Sequence, residues 1–391
     1  MKSAKSIKSS GSIMKRNAFE QVKMKSTKTL TAFLWGCGLL SAFLTSCTGF
    51  YNMNYSYSES EAAAFTMNDS LYVLRETGKI EEIDAGLGNY YLDAVSCISE
   101  NRFLVWNKSS GCVEEYSEKG VKLGSAKISG SVKMNGSYVL TQGSSCVSGK
   151  GWLYSFYKIQ HKGIFNSLSL ELISSSYLDL NISGFVFDSE NDAVWISGGS
   201  LDDETNSVFY MTSSGAAECF STSKDGDFLR LVYDGKASAL NPDVYAFVSG
   251  GADTVNGEAS EKTLYLWKIF LCSEDSGDFN FEEKTVSGFE DFSEGVGEFY
   301  GFGMYLEGNV IVPFVTTDGW CEEGGAGLLC VDFDNEKICS SVEGINGVLR
   351  GITSYRESFN GKVYFLNYSR ASGVNGNLSF FDGEKVTEAV F

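Results

Sequence analysis

The chain has 391 residues, with 31 Lys or Arg against 50 Asp or Glu. Residues 1–46 carry eight of the basic and one of the acidic residues, which leaves 23 basic and 49 acidic residues and a net charge of −26 for the remainder. Such a surface repels phosphate backbones and anionic headgroups, which argues against nucleic acid as a partner and against membrane binding by charge. With 43 Gly, 2 Pro, 28 Phe and 20 Tyr, the composition predicts an all-β fold of strands joined by tight turns.

The N-terminal segment has the layout of a secretory signal. From Met24 a short basic head is followed by an apolar stretch from Leu30 to Leu44 and then by small residues before Cys47. A spanning helix needs about 20 apolar residues, and this stretch is shorter and interrupted by two glycines and a serine. The sequence therefore predicts a cleaved signal region at 1–46, in which Met24 is an alternative start.

The four residues Leu44-Thr45-Ser46-Cys47 resemble the bacterial lipobox. The resemblance implies that Cys47 is acylated and becomes the first residue of the mature protein, so that its lipid supplies the membrane contact and residues 47–60 form a tether. Thr48, where an Asp would retain the protein at the inner membrane, favours the outer membrane of a bacterial cell envelope, with the protein periplasmic or surface exposed. The alternatives are a plain signal peptide with an incidental cysteine, or a membrane helix.

Beyond the tether, two kinds of hairpin recur. One kind occurs as SLYVLRETGKIEEI from Ser70, SVFYMTSSGAAECF from Ser207, GLLCVDFDNEKICS from Gly327 and GNLSFFDGEKVTEAVF from Gly376. The other precedes most of these, as in GFVFDSENDAVWISGG from Gly184 and GFGMYLEGNVIVPFVTT from Gly301. Together they predict four-stranded units that start near Asn89, Ser131, Ser183, Phe228, Tyr300 and Arg350, with a further hairpin at 55–85.

Hairpins such as Ser70-Leu71-Tyr72-Val73-Leu74 followed by Thr77-Gly78-Lys79 resemble those of degenerate β-propellers of the quinoprotein-like and YVTN-like kind. The resemblance implies a propeller at 61–391 with six to eight four-stranded blades, seven being favoured. Pro313 lies within IVPFV, where a central strand needs its amide, and predicts a bulge or a displaced strand boundary. A pair of β-sandwiches or a β-helix is the alternative.

One cysteine pair suggests a disulfide. Eight cysteines follow Cys47, and a two-residue turn at Asp334-Asn335 would place Cys330 opposite Cys339. A change of one residue in that turn removes the register, and buried free thiols that act as small hydrophobes are the alternative.

In a propeller, the connections between second and third strands emerge on one face, and here the segments from Gln142, Gly198, Gly250, Thr316 and Ser369 are long. Their residues are the candidates for binding a protein or carbohydrate ligand, namely Trp320, Asp318, Asp202, Asp203, Asp253 and Glu322. An exposed indole at Trp320 could stack on a sugar or a peptide, and a tryptophan folded back on its blade is the alternative. The acidic residues lack EF-hand spacing and predict solvated turns rather than a metal site.

The sequence offers little on which catalysis could be built. The single histidine, His161, has no evident Ser, Cys or metal-ligating companion and is expected near a hairpin turn, and no cofactor motif occurs. The sequence favours a lipid-anchored binding or scaffold module without cofactor. The alternatives are a carbohydrate-active enzyme that uses a carboxylate pair in the propeller channel, and an envelope-assembly factor by analogy with a propeller lipoprotein that assists barrel insertion.

Overall fold

The computed structural model describes residues 56–389 with interruptions, which fall at 58–61, 68–69, 76, 84–94, 100, 163–166, 190, 201–204, 224–229, 235–242, 251–253, 256–257, 260–262, 272–278, 288, 290–295, 300–302, 317–324, 352–360 and 369–375. The described residues form strands and turns and no helix. Within them, accordingly, nothing helical is long and apolar enough to cross a bilayer. The predicted signal region and Cys47 lie outside the described residues.

The strands of the first four sheets follow one another along the chain, and each sheet consists of four consecutive strands. The first sheet contains β1 (Ser56–Tyr57), β2 (Ala62–Met67), β3 (Ser70–Arg75) and β4 (Ile80–Ile83). The second contains β5 (Val95–Ser99), β6 (Arg102–Asn107), β7 (Cys112–Ser117) and β8 (Lys122–Lys127). The third contains β9 (Ser131–Asn135), β10 (Tyr138–Val147), β11 (Gly151–Lys162) and β12 (Ser167–Leu178). The fourth contains β13 (Asn181–Asp188), β14 (Ala193–Gly199), β15 (Asn206–Thr212) and β16 (Gly215–Thr222).

The remaining sheets keep this order with two additions. The fifth contains β17 (Arg230–Asp234) and β18 (Asp243–Gly250), then after a separate ribbon of β19 (Thr254–Val255) and β20 (Glu258–Ala259) it continues with β21 (Thr263–Leu271) and β22 (Phe279–Thr285). The sixth contains β23 (Val296–Phe299), β24 (Met304–Leu306), β25 (Asn309–Thr316), β26 (Ala326–Asp332) and β27 (Lys337–Ile345). The seventh contains β28 (Val348–Gly351), β29 (Val363–Tyr368), β30 (Gly376–Phe381) and β31 (Val386–Glu388).

Burial differs between central and outer strands. Every residue of the second strand of the fourth sheet, β14, is buried, which requires cover on both faces of the sheet. The fourth strand of the second sheet, β8, is exposed or half-buried throughout. A central strand such as β14 therefore shows no alternation of buried and exposed residues, as expected where both faces pack.

Adjacent sheets pack through apolar side chains. The first and second sheets share a cluster that includes Leu71, Val73, Phe103 and Val105, and the second and third share one that includes Leu104, Trp106, Val139 and Leu168. Rings then join the third sheet to the fourth, where Phe156 stacks on Phe187 at 5.9 Å, and the fourth to the fifth, where Phe220 meets Trp267 at 5.2 Å. The fifth and sixth share a cluster that includes Tyr245, Leu264, Val310 and Leu329.

The last two interfaces complete the series. Between the sixth and seventh sheets, Ser340 Oγ donates a hydrogen bond of 3.2 Å to the Gly383 carbonyl. The seventh sheet then packs on the first through a cluster that includes Phe65, Leu74, Tyr364 and Leu378. The first strands of successive sheets also contact one another. For example, β1 contacts β5, and β5 contacts β9. The all-β prediction is confirmed, and this series of small antiparallel sheets supports the β-propeller architecture.

Pro313 occupies a central strand, and the structure explains how. On one side it is in register with Leu328 of β26 without a bulge. On the other side the neighbouring strand is divided, since β23 pairs with residues 314–316 and β24 with residues 309–311. Pro313 therefore lies between the residues that pair with β23 and those that pair with β24, a position where a strand tolerates a missing amide. The predicted irregularity occurs in the neighbouring strand and not at Pro313 itself.

The hairpin that contains Cys330 and Cys339 differs from the predicted one. Asp332 pairs with Lys337, so the connection has four residues, 333–336, and not two. The Asp332 carboxylate accepts hydrogen bonds from the backbone N and side-chain Nδ2 of Asn335, which closes the loop at this length. Farther from the loop, the register of the two strands shifts between Val331 and Cys330. As a result, Cys330 pairs with Ser340 instead of Cys339.

Candidate functional site

Four connections between second and third strands leave the same edge of the fourth to seventh sheets, which we call the loop edge. They span 200–205, 251–262, 317–325 and 369–375, and the one in the fifth sheet includes the ribbon of β19 and β20. Backbone hydrogen bonds close two of them at the base, from Ser200 N to Thr205 O at 2.8 Å and from Thr316 N to Gly325 O at 3.0 Å. Long segments are thus held by paired strand ends, as is typical of binding loops on a rigid scaffold.

The predicted ligand-binding residues belong to these connections. Asp202 and Asp203 fall in 201–204, Asp253 in 251–253, and Asp318, Trp320 and Glu322 in 317–324, so all six lie outside the described residues. Asn206 lies two residues beyond the segment 201–204 and is buried. Its Oδ1 accepts no hydrogen bond from the described residues. The structure defines the bases of the loops, and the roles of the six residues stay predictions.

The segment from Gln142, predicted as a fifth long loop, is instead a strand ribbon. β10 and β11 pair as far as Gln142 and Tyr154, and after an irregularity at 143–145 they pair again at Cys146 and Val147, with a tight turn at 148–150. A Cβ at Gly151 would lie 2.0 Å from the Leu178 carbonyl oxygen, and its φ is +82°, so only glycine fits there. The sequence signal that was missed is Gly149-Lys150-Gly151, a turn between two segments of strand-forming residues.

The opposite edge, which we call the turn edge, carries tight turns in several sheets. Gly78, Gly120, Gly136 and Gly383 adopt positive φ in such turns, and Asp192, Glu307 and Glu336 do so without being glycine. The fifth and seventh sheets differ from the others, because their connections at 235–242, 272–278 and 352–362 are as long as those of the loop edge. Long connections therefore occur on both edges in that half of the chain.

A charged cluster lies between the second and third sheets. His161 near the end of β11 places Nε2 2.9 Å from Oε2 of Glu115 on β7, whose side chain is 2% exposed. Arg102 Nη1 lies 3.2 Å from Oε1 of the same carboxylate as an ion pair without hydrogen-bond geometry. Arg102 is also 3.4 Å from His161 Nε2, but an Nε2 that donates to Glu115 cannot accept, and the shorter contact identifies the carboxylate as its partner. The only histidine therefore has a structural partner, which sequence reasoning did not identify.

The neighbouring carboxylate, Glu114, faces the first sheet and is satisfied within its own sheet. It accepts hydrogen bonds from Tyr116 Oη at 2.7 Å, Lys122 Nζ at 2.7 Å and Asn107 Nδ2 at 3.3 Å. Burial acts to raise the pKa of Glu114, but the hydrogen bonds from Lys122, Tyr116 and Asn107 outweigh it and hold the pKa below its ordinary value. A carboxylate held by three donors from its own sheet stabilises that sheet.

A cavity of about 330 Å³ lies where the seventh sheet meets the first. Its lining includes Thr77, Ile80, Lys362, Tyr364, Phe380 and Glu388. Lys362 Nζ lies 4.0 Å from the centre of the Phe380 ring, a cation–π contact that engages the one lysine of this lining. Among the described residues, no group of three or more His, Cys, Asp or Glu side chains could hold a metal ion.

Comparisons with known proteins reveal the fold and no family. No family model matches the chain, and no curated protein does. Among solved structures, hydrazine synthase from Kuenenia stuttgartiensis aligns with a TM-score of 0.50 at 10% identity, covering 86% of this chain and 95% of that one. At such identity the likeness extends to the fold alone.

Two further solved structures resemble this chain less closely in TM-score. A chain of the mitotic checkpoint complex aligns with a TM-score of 0.49 at 13% identity over 85% of this chain and 90% of that one. The β-propeller domain of the Trilobed protease from Pyrococcus furiosus aligns with a TM-score of 0.43 at 11% identity over 86% of this chain and 95% of its own. These proteins differ from one another in role, so none of them indicates an activity here.

Proposed function

We propose that the protein is an exported, lipid-anchored, seven-bladed β-propeller that acts as a binding or scaffold module in the bacterial cell envelope. Cys47 carries the lipid, and the loop edge of the fourth to seventh sheets holds the ligand, a protein or a carbohydrate. The observation that carries the binding role is the set of long connections that leave one edge of four successive sheets, two of them closed at the base by backbone hydrogen bonds.

Closure of the ring is supported by the cluster that joins the last sheet to the first. Leu74 and Leu378 are both fully buried in that cluster. In a closed ring, Leu74→Ala and Leu378→Ala each lower the free energy of unfolding by about 3 kcal/mol in a single transition of the whole domain. Urea unfolding followed by fluorescence and by circular dichroism tests this, and a separate early transition of the first sheet contradicts closure.

The anchor is tested by metabolic labelling. Labelled palmitate enters the wild-type protein and not Cys47→Ala, because the acyl chains attach at that thiol. We then expect Cys47→Ala outside the membrane fraction, because the missing acyl chains would contribute about 0.8 kcal/mol of membrane-binding free energy per buried methylene. Equal labelling of the two proteins refutes the anchor and leaves the binding role to be decided separately.

Binding at the loop edge is tested by site-specific photo-crosslinking in cells. A photoreactive residue at Thr205, at the base of a loop, is compared with one at the exposed Asp334 on the turn edge of the sixth sheet. We expect adducts from position 205 and not from position 334. Adducts of equal yield from both positions, or adducts from 334 alone, contradict a binding surface at the loop edge.

The two rival functions have their own readouts. Release of reducing sugars from polysaccharide by the purified protein would establish the enzyme, and loss of that release in a carboxylate variant would locate its site. Co-purification with an outer-membrane barrel protein from detergent-solubilised membranes would instead establish the assembly factor. Neither rival has a specific observation among the described residues in its favour.

A further inference from the structure

The hairpin of β26 and β27 brings two thiols into contact. The Sγ atoms of Cys330 and Cys339 lie 2.7 Å apart. Cys330 is buried, with 3% of its surface exposed, whereas Cys339 is exposed. Both cysteines carry free thiols in the structure, and the pair therefore combines a buried sulfur with one that solvent can reach.

A bulge at Cys339 creates this contact. Asp332 pairs with Lys337 and Val331 with Ile338, but Cys330 pairs with Ser340, so Cys339 is the additional residue of β27. Its sulfur turns back toward β26 and also lies 3.1 Å from the Cys330 carbonyl oxygen. Without the bulge, the two cysteines would lie opposite each other in the ladder. With it, the displaced Cys339 side chain contacts Cys330.

The bulge is held in place on both sides. On one side, Asp332 accepts two hydrogen bonds from Asn335 and closes the four-residue loop. On the other side, Ser340 Oγ donates to the Gly383 carbonyl of the seventh sheet at 3.2 Å. The residues before and after the cysteine pair are therefore anchored, and the two sulfurs are preorganised for reaction with each other.

We propose that Cys330 and Cys339 form a redox site, a dithiol that an external small-molecule disulfide converts to an intramolecular disulfide. In the cell this conversion rests on the proposed export, because disulfides persist in oxidising compartments. The purified protein tests the site without reference to export.

The reaction proceeds by two thiol–disulfide exchanges. The exposed Cys339 loses its proton and attacks one sulfur of the external disulfide, whose other sulfur leaves as a thiolate with the bonding electron pair. Cys330 then loses its proton and attacks the Cys339 sulfur of the mixed disulfide, which releases the second external thiolate. Two protein thiols are oxidised, one external disulfide is reduced to two thiols, and the two protons end on the released thiolates.

Burial explains the order of the two sulfurs. Desolvation raises the pKa of the Cys330 thiol far above its ordinary value, with a further contribution from the hydrogen bond with Cys339. A thiol of that kind is a poor first nucleophile toward an external reagent. It reacts with its neighbour instead, where the contact of 2.7 Å replaces diffusion.

Other described cysteines serve as internal controls. Cys219 Sγ lies 3.0 Å from the Val208 carbonyl oxygen and Cys112 Sγ lies 3.6 Å from that of Ser110, so each of these thiols has a backbone partner. Cys146 is exposed on the ribbon of the third sheet. Exposure alone therefore predicts modification of Cys146. Among the cysteines that the structure describes, exposure together with a neighbouring thiol predicts a disulfide only at Cys330 and Cys339.

The test is an oxidation of the purified full chain with glutathione disulfide at defined glutathione ratios, followed by acid quenching, alkylation under denaturing conditions and peptide mass spectrometry. We expect Cys330 and Cys339 to lose alkylation together, with a loss of two hydrogens from the peptide that contains both. In Cys330→Ser, Cys339 should stop at the mixed disulfide with glutathione. Cys146→Ser should leave the pair unchanged.

Independent alkylation of the two cysteines, or a lasting mixed disulfide at Cys339 in the wild-type chain, overturns the proposal. Circular dichroism of Cys330→Ser and of the wild-type chain after oxidation confirms that both are folded, so a loss of the reaction is not a loss of the fold. If the purified protein forms the disulfide but acid-quenched cells contain only the dithiol, the site stands and export fails. If the purified protein does not form it, the site fails, and palmitate labelling still decides export.

Discussion

The two faces of strand β7 solve the same physical problem in different ways. Glu114 faces the first sheet and Glu115 the third, and their side chains are 7% and 2% exposed. Glu114 finds its hydrogen-bond donors on β6, β7 and β8 of its own sheet, whereas Glu115 finds its hydrogen-bond donor, His161, on the next sheet. One carboxylate stabilises a sheet, and the other joins two sheets.

The difference matters because a buried carboxylate is costly when a donor is removed. A buried ion pair that loses one partner destabilises a protein by about 3 to 5 kcal/mol, since the remaining charge stays desolvated. For Glu114 the loss of one donor leaves two others. For Glu115 the loss of His161 leaves an ion pair with Arg102 that lacks hydrogen-bond geometry. The interface between sheets is thus more vulnerable than the interior of the sheet.

His161→Leu is expected to have the largest effect. It should lower the free energy of unfolding by about 3 kcal/mol, because Glu115 stays buried without its hydrogen-bond donor. Urea unfolding at neutral pH measures the change. The double variant Glu115→Leu with His161→Leu should recover part of the loss, since no buried charge then remains. A single variant as stable as the wild type would mean that the Glu115–His161 contact contributes nothing.

Glu114→Gln should cost about 2 kcal/mol at neutral pH, because the bonds that Lys122 and Asn107 donate to Oε1 become bonds to a neutral amide oxygen. The bond that Tyr116 Oη donates to Oε2 is lost, since an amide nitrogen in that position cannot accept. The folded-state pKa of Glu114 is lowered, so its stabilisation is present above the unfolded-state value of about 4.3 and is lost as the pH falls through the folded-state pKa. The difference between Glu114→Gln and the wild type should therefore stay constant from pH 7 to about 5 and shrink below that. A difference that grows on acidification contradicts the assignment.

The sequence could anticipate one of these networks and not the other. Tyr116 lies two residues from Glu114 on the same face of one strand, and the hairpins bring Asn107 and Lys122 beside it, so strand periodicity and turn positions suffice. Glu115 and His161 are 46 positions apart, and their contact depends on how one sheet packs on the next. Hairpin spacing contains no information about that packing.

The same division applies to the fold and the candidate site. Hairpins predicted from Ser70, Ser207, Gly327 and Gly376 occur as paired strands, because each needs only strand-forming residues and local turn residues. The bulge at Cys339 was not predicted, since the residues on either side of it make an Asp332–Asn335 contact and a contact with the seventh sheet, neither of which hairpin spacing reveals. The acidic and aromatic loop residues carry no periodicity, and sequence reasoning could place them on an edge but not arrange them in space.

Gly124→Ala examines the same interface between sheets by a steric route. A Cβ at Gly124 of β8 would lie 3.1 Å from Leu168 Cβ of the third sheet and 3.9 Å from Glu115 Oε2. Leu168 must then shift by a few tenths of an ångström, and we expect a loss of about 1 kcal/mol from the overpacking. Thermal unfolding measures it. Gly124→Ala should also be combined with the double variant Glu115→Leu and His161→Leu. The losses of stability from the two changes should not be additive, since both lie in one contact region. Strict additivity would mean that Gly124 lies outside that region.

Lys122→Met should have the smallest effect and completes the comparison. Lys122 donates to Glu114 at 2.7 Å, but its side chain is 46% exposed, so solvent screens the pair and the expected loss is about 0.5 kcal/mol. Tyr116 and Asn107 continue to hold the carboxylate. The loss should diminish in high salt, whereas that of His161→Leu should not, because the latter contact is buried. Urea unfolding at low and high ionic strength distinguishes the two, and equal salt dependence would mean that the faces of β7 do not differ in how they satisfy their charges.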